Sequence, residues 1–145
     1  MVSTAINILL VEDSPTDASI LQAAFDGLSR HSCIQIATDG LQALNILKRA
    51  SADRAELQPN LILLDLNLPG KSGHEVLSDI KGSDRWKATP TIILSSSSTP
   101  TDVNSSYELH ANAYITKPRT LNGYEQVAQR IHNFWLETVN LPAHS

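Results

Sequence analysis

Leu61-Ile62-Leu63-Leu64-Asp65-Leu66-Asn67-Leu68-Pro69-Gly70 runs four apolar residues without a polar break into an acid, and a Pro-Gly pair then closes the segment. A strand with one wet face alternates apolar and polar side chains, whereas a strand covered on both faces does not. Two more segments repeat the device: Ile6-Asn7-Ile8-Leu9-Leu10-Val11 ends at Glu12-Asp13, and Thr91-Ile92-Ile93-Leu94 ends at four serines. Cys33 to Thr38 and Ala113 to Thr116 complete five strands. Between them apolar residues recur at helical spacing: Ile20, Ala23, Ala24 and Leu28; Leu41, Leu44, Ile46 and Leu47; Val76, Leu77 and Ile80; Tyr124, Val127, Ala128 and Ile131. Ser14-Pro15 and Thr99-Pro100 place a capping hydroxyl before a proline at the first helical position, with Asp17 three residues after Ser14. Five strands alternating with five helices predict an α/β fold with a parallel sheet covered on both faces.

Length and charge narrow the function. The 145 residues suit one domain, 1–145, with no output domain attached, and Ser51 to Asn60 reads as a surface loop. Leu141 to Ser145 reads as a short tail. A net charge of −4, with Lys and Arg scattered, lacks the basic stripe of a nucleic-acid binder. No apolar run approaches the roughly 18 residues that span a bilayer, and there is no basic leader. A single cysteine, Cys33, in an apolar stretch fits a buried thiol in a reducing compartment, so the expected location is the cytoplasm. The five histidines, His31, His74, His110, His132 and His144, have no metal-ligand spacing and are expected at the surface or partly buried.

In an open parallel sheet, ligands bind beyond the carboxyl ends of the strands, where Glu12-Asp13, Asp65, Ser95 and Lys117 stand. Each residue alone has an ordinary explanation as a cap, turn or surface group. Their order along successive strands is what points to chemistry. Three carboxylates at one edge repel unless a cation joins them. Mg²⁺ suits the set, with Asp13 and Asp65 as direct ligands and Glu12 acting through water. The carboxylates then sum to −3 against +3 for Mg²⁺ and Lys117. An acyl phosphate on Asp65 would add about one negative charge for Lys117 and the Ser95 hydroxyl to meet, which makes a switch.

These stretches, with Tyr114-Ile115-Thr116-Lys117-Pro118, resemble the receiver domains of two-component response regulators over nearly the whole chain. The resemblance implies a flavodoxin-like (CheY-like), doubly wound five-stranded sheet of order 2-1-3-4-5. It implies that a sensor histidine kinase phosphorylates Asp65, with Ser95 as switch hydroxyl, Lys117 as the site lysine and the backbone carbonyl of Asn67 as a further Mg²⁺ ligand. Tyr114 takes the place of the ring that turns inward with the hydroxyl, and Asn67 and Ser97 flank the phosphoryl pocket. The Lys117-Pro118 bond is expected to be cis. Such a protein is a phospho-acceptor switch that catalyses only its own phosphorylation and dephosphorylation.

Ser106-Tyr107-Glu108-Leu109-His110 and Phe134-Trp135-Leu136-Glu137-Thr138 look like the small regulators paired with bacterial phytochrome kinases, notably those of cyanobacteria. Phe134, Trp135 and Leu136 together exceed what one buried helical stripe can hide. They are expected to form an interface, in a homodimer through the fourth and fifth helices. A haloacid-dehalogenase-type phosphatase shares the Asp, hydroxyl, Lys and Mg²⁺, but Asn67 stands where that chemistry needs an acid, because an amide cannot transfer the proton. A flavin module lacks its phosphate loop after the first strand.

Overall fold

A computed structural model describes residues 6–28, 32–52 and 58–142. Its strands are β1 (Ile6–Val11), β2 (Ser32–Ala37), β3 (Leu61–Leu64), β4 (Thr91–Ser95) and β5 (Ala113–Thr116). They form one parallel sheet in the order β2-β1-β3-β4-β5. The helices are α1 (Pro15–Asp26), α2 (Gly40–Ala52), α3 (Gly73–Gly82), α4 (Pro100–Glu108) and α5 (Leu121–Ile131), and α5 runs on into a π-helical turn, His132–Thr138.

Strand periodicity divides the apolar residues between the two faces. Ile8, Leu10, Leu61, Leu63, Ile92 and Leu94 point to the side covered by α1 and α5, where Leu21, Phe25, Tyr124, Ala128 and Ile131 meet them. Leu9, Val11, Ile62, Leu64 and Ile93 point to the other side, against Ala43, Ile46 and Leu47 of α2, Val76, Leu77 and Ile80 of α3, and Trp86. Both faces of the three central strands are thus dry, which is why their sequences do not alternate.

The capping predictions match the structure: Ser14 accepts from the Asp17 N–H, and Thr99 from the Asp102 N–H. Ser72 and Glu75 add a reciprocal capping box at α3, a Ser-x-x-Glu signal present in the sequence and not used there. The predicted helical stripes need correction in two helices. On α1 the buried residues are Ala18, Leu21 and Phe25; Ile20, Ala24 and Leu28 only flank them, and Ala23 is exposed. On α2 Leu41 is 64% exposed, and Ala43 and Ala50 take inward positions instead. Small alanines let the helix approach the sheet, a signal that counting large apolar residues overlooks.

Other expectations shift as well. Ser51 and Ala52 belong to α2, so the surface loop is shorter than expected. At its far end, Gln58 reaches the Ala50 carbonyl and accepts from Arg85, while Asn60 accepts from the Asn7 N–H. All peptide bonds of the described residues are trans, Lys117-Pro118 included. A tertiary amide still favours trans by about 0.5–1 kcal/mol. His132 is buried rather than superficial, with Nδ1 3.2 Å from Glu137 Oε1. His74 is half-buried and His110 exposed, while His31, His144 and the tail residues 143–145 lie outside the described residues.

The terminal aromatics separate. Phe134 is 51% exposed and Trp135 is half-buried, their rings meeting edge to face at 5.3 Å. Leu136 is buried against the α1–α5 core, which corrects its assignment to an interface. The wider π turn brings Leu136 inward while it turns Phe134 out.

Candidate phosphoryl-acceptor site

Glu12, Asp13 and Asp65 leave the ends of the adjacent strands β1 and β3, so the sheet itself sets their spacing. One carboxylate oxygen from each lies within 4.8 Å of the others. Two ligands of Mg²⁺ on opposite sides of the ion stand about 4 Å apart, so the group fits a hard divalent cation after a small adjustment. Asp13 is exposed, whereas Glu12 and Asp65 are buried, so the cluster opens to solvent on one side.

Lys117, at the end of β5, reaches across to this edge. Its Nζ lies 2.6 Å from Glu12 Oε1, 2.8 Å from Asp65 Oδ2 and 3.0 Å from Asp17 Oδ2, with the side chain only 8% exposed. Burial works against its charge, but hydrogen bonds to Asp65, Glu12 and Asp17 outweigh it and hold its pKa above the ordinary lysine value. Asp65 Oδ1 accepts from the Asn67 N–H at 3.1 Å, which folds the following loop over the carboxylate. Glu12 Oε2 accepts from the Ser14 N–H at 3.1 Å. Both oxygens of Glu12 are thereby engaged, an arrangement that suits action on a cation through water.

Gly73 explains how α3 can start so close to Asp65. A Cβ there would overlap the Asp65 carbonyl oxygen and the Leu66 Cα, so only glycine permits the approach. Gly70, with φ +70°, makes the turn between them.

Ser95 is buried at the end of β4, beside β3. Its hydroxyl accepts a long hydrogen bond from the Ser97 N–H, and Ser97 in turn bonds Asp102 at the start of α4. The Tyr114 hydroxyl donates to the Ser97 carbonyl at 2.7 Å. Burial raises the Tyr114 pKa against opposing hydrogen bonds with Ser97 and Ser95. The Tyr114 backbone N–H also donates to the Tyr107 hydroxyl of α4 at 3.1 Å. The site therefore has two sides, a charged one around Lys117 and a hydroxyl one tied to α4.

Glu12, Asp13 and Asp65 come together at this edge with Lys117 on Glu12 and Asp65, and Ser95 ends the neighbouring strand β4, whereas Phe134 and Trp135 follow α5 on a separate element. Asp17 is the site residue missed from sequence. It was visible only as a first-turn acid of α1, and nothing local reveals a lysine 100 positions away.

The response regulator receiver domain family model matches residues 8–129, and the chain belongs to that family. Among its relatives is the response regulator Rcp1 of Synechocystis sp., 45% identical over 94% of this chain and 92% of that protein. The crystal structure of Mn²⁺-bound Rcp1 superposes with a TM-score of 0.87 at 44% identity, over 95% of this chain and 99% of that one. The phosphorylated cyanobacterial phytochrome response regulator RcpA gives a TM-score of 0.90 at 38% identity, over 97% and 100%.

Burial pushes the Glu12 pKa from 4.5 up to about 7; hydrogen bonds from Lys117 and the Ser14 backbone oppose the rise and the charge of Asp65 adds to it. Between those values the folded chain binds more protons than the unfolded one, so Glu12 makes stability fall as pH rises from about 4.5 to about 7. Denaturant unfolding of the metal-free protein across this window checks it: Glu12→Gln should flatten the decline relative to the native chain.

Proposed function

We propose that Asp65 takes a phosphoryl group from the phosphohistidine of a sensor histidine kinase and that Mg²⁺ is the required cation. A carboxylate oxygen of Asp65 forms the new P–O bond as the donor P–N bond breaks, and the imidazole leaves with the electron pair. Held by Asp13 and Asp65, the Asn67 carbonyl and, through water, Glu12, Mg²⁺ would supply positive charge against the phosphoryl oxygens. Lys117 gives a second positive group on the opposite side, and the Ser95 hydroxyl donates to an oxygen of the product. Asn67 and Ser97 line the pocket that limits attack by water.

The observation that carries this reading is the Lys117 ammonium 2.8 Å from Asp65 Oδ2, in contact with the carboxylate cluster. Negative charge delivered to Asp65 disturbs that bond first. The change reaches α4 through Ser95, Ser97 and Tyr114, because the Tyr114 hydroxyl is held by the Ser97 carbonyl. RcpA, a phytochrome response regulator, supports a phytochrome-type kinase as the phosphoryl source. Among the described residues no helix is long and apolar enough to cross a membrane.

The output is a homodimer through α4 and α5, with Phe134 and Trp135 in its contact. Phe134 and Tyr107 are the large aromatics left exposed along these elements, and aromatic side chains are enriched in the buried centres of interfaces.

Intact mass after incubation with acetyl phosphate and Mg²⁺ tests the acceptor. One phosphoryl adduct is expected, absent with EDTA and in Asp65→Asn; an adduct that survives Asp65→Asn places the acceptor elsewhere. Sedimentation with beryllofluoride tests the assembly. The native chain should sediment as a dimer and Phe134→Ala mainly as a monomer with unchanged helicity; an unchanged dimer in the variant removes Phe134 from the interface.

A further inference from the structure

Asp17 stands in the first turn of α1, where an acid needs no special explanation: it complements the helix dipole, and its N–H bonds the Ser14 cap at 3.2 Å. Its carboxylate does something that position does not require. Oδ2 lies 3.0 Å from Lys117 Nζ, making Asp17 the third of three carboxylates on one ammonium. An ammonium has three N–H donors, and here each finds a carboxylate.

The three partners differ in what else they can do. Glu12 and Asp65 belong to the cluster that fits a divalent cation, whereas Asp17 does not. A cation drawn into that cluster competes with Lys117 for Glu12 and Asp65 and leaves the Asp17 bond untouched. Lysine is a flexible four-carbon chain, and without a fixed partner its ammonium has no preferred aim. We infer that Asp17 is a positioning residue for phosphoryl transfer: it anchors Lys117 once the cation engages the other carboxylates and keeps a free N–H directed at the oxygens of the incoming phosphoryl group.

The backbone of α1 makes the anchor firm. Ser14 is fixed on both sides, its hydroxyl accepting the Asp17 N–H and its own N–H bonded to Glu12 Oε2, so Asp17 and Glu12 are held by one turn. The anchor also adds to the charge of the site. With Asp17 the carboxylates sum to −4 against +3 from Lys117 and a divalent cation, so one unit of negative charge remains to hold the ammonium in place.

This inference rests on Asp65 being the acceptor, and the experiment separates the two. Initial rates of adduct formation with acetyl phosphate at saturating Mg²⁺ are compared for the native chain, Asp17→Ala, Asp17→Asn and Asp26→Asn, with Mg²⁺ affinity from calorimetry and folding from circular dichroism. Asp26→Asn removes the same charge from the far end of α1. Asp17→Ala should slow the reaction about tenfold or more, the loss of one charge-assisted hydrogen bond. Asp17→Asn, which keeps a neutral acceptor, should fall between. Mg²⁺ should bind several-fold more weakly to Asp17→Ala, because a released Lys117 settles on Asp65 and Glu12. Asp26→Asn should match the native chain in both respects. A native rate in Asp17→Ala, tighter Mg²⁺ binding, or equal slowing in Asp26→Asn would overturn the inference; if Asp17→Ala does not fold, a native rate in Asp17→Asn does so. Absence of an adduct on the native chain would instead remove the acceptor reading itself.

Discussion

Lys117 brings one positive charge to an edge of the sheet where Glu12, Asp17 and Asp65 converge, and the rest of that edge is arranged around it. Two of those carboxylates are buried, and a buried carboxylate without a partner is costly. The ammonium offsets that cost only because it has three donors and reaches all three groups. The parallel sheet makes the meeting possible: β1, β3 and β5 all run the same way, so the residues that follow them emerge on one side. Gly73 then lets α3 close against the Asp65 backbone, and Ser14 ties α1 to Glu12.

The same arrangement makes the site responsive. A group of acids held by one lysine is sensitive to any further charge, because that lysine has no unused donor to meet it. New negative charge on Asp65 must draw an N–H away from a carboxylate or recruit the Ser95 hydroxyl. Ser95 lies next to Ser97, whose carbonyl holds Tyr114 and whose hydroxyl bonds Asp102 of α4. Tyr107 closes a second link from α4, its hydroxyl accepting from the Tyr114 backbone N–H. A shift of one hydroxyl thus has a short path of hydrogen bonds to a helix surface, with no need for the sheet to move.

Much of this was legible in the chain itself. The uninterrupted runs at Ile8–Val11, Leu61–Leu64 and Thr91–Leu94 gave away strands covered on both faces, and the acids after the first two form the observed cluster. Helix faces were harder to read. Ala43 and Ala50 are inward and Leu41 outward, because a helix close to a sheet has room for methyl groups where larger side chains do not fit. The separation of Phe134 from Leu136 depends on a π turn, which shifts the angular spacing from the one that a regular helix predicts. Asp17 could not be found from spacing, since its partner arrives from the opposite end of the fold.

The claim at the centre is that Lys117 is the counter-charge that allows these carboxylates to sit together, and unfolding of Lys117→Met with and without Mg²⁺ tests it most directly. Removing one partner of a buried ion pair costs about 3–5 kcal/mol. The metal-free variant should lose stability on that order, and Mg²⁺ should then stabilise the variant by more than it stabilises the native chain, because the ion takes over the missing charge. Equal stability of the two metal-free proteins, with an equal gain from Mg²⁺, would contradict the account.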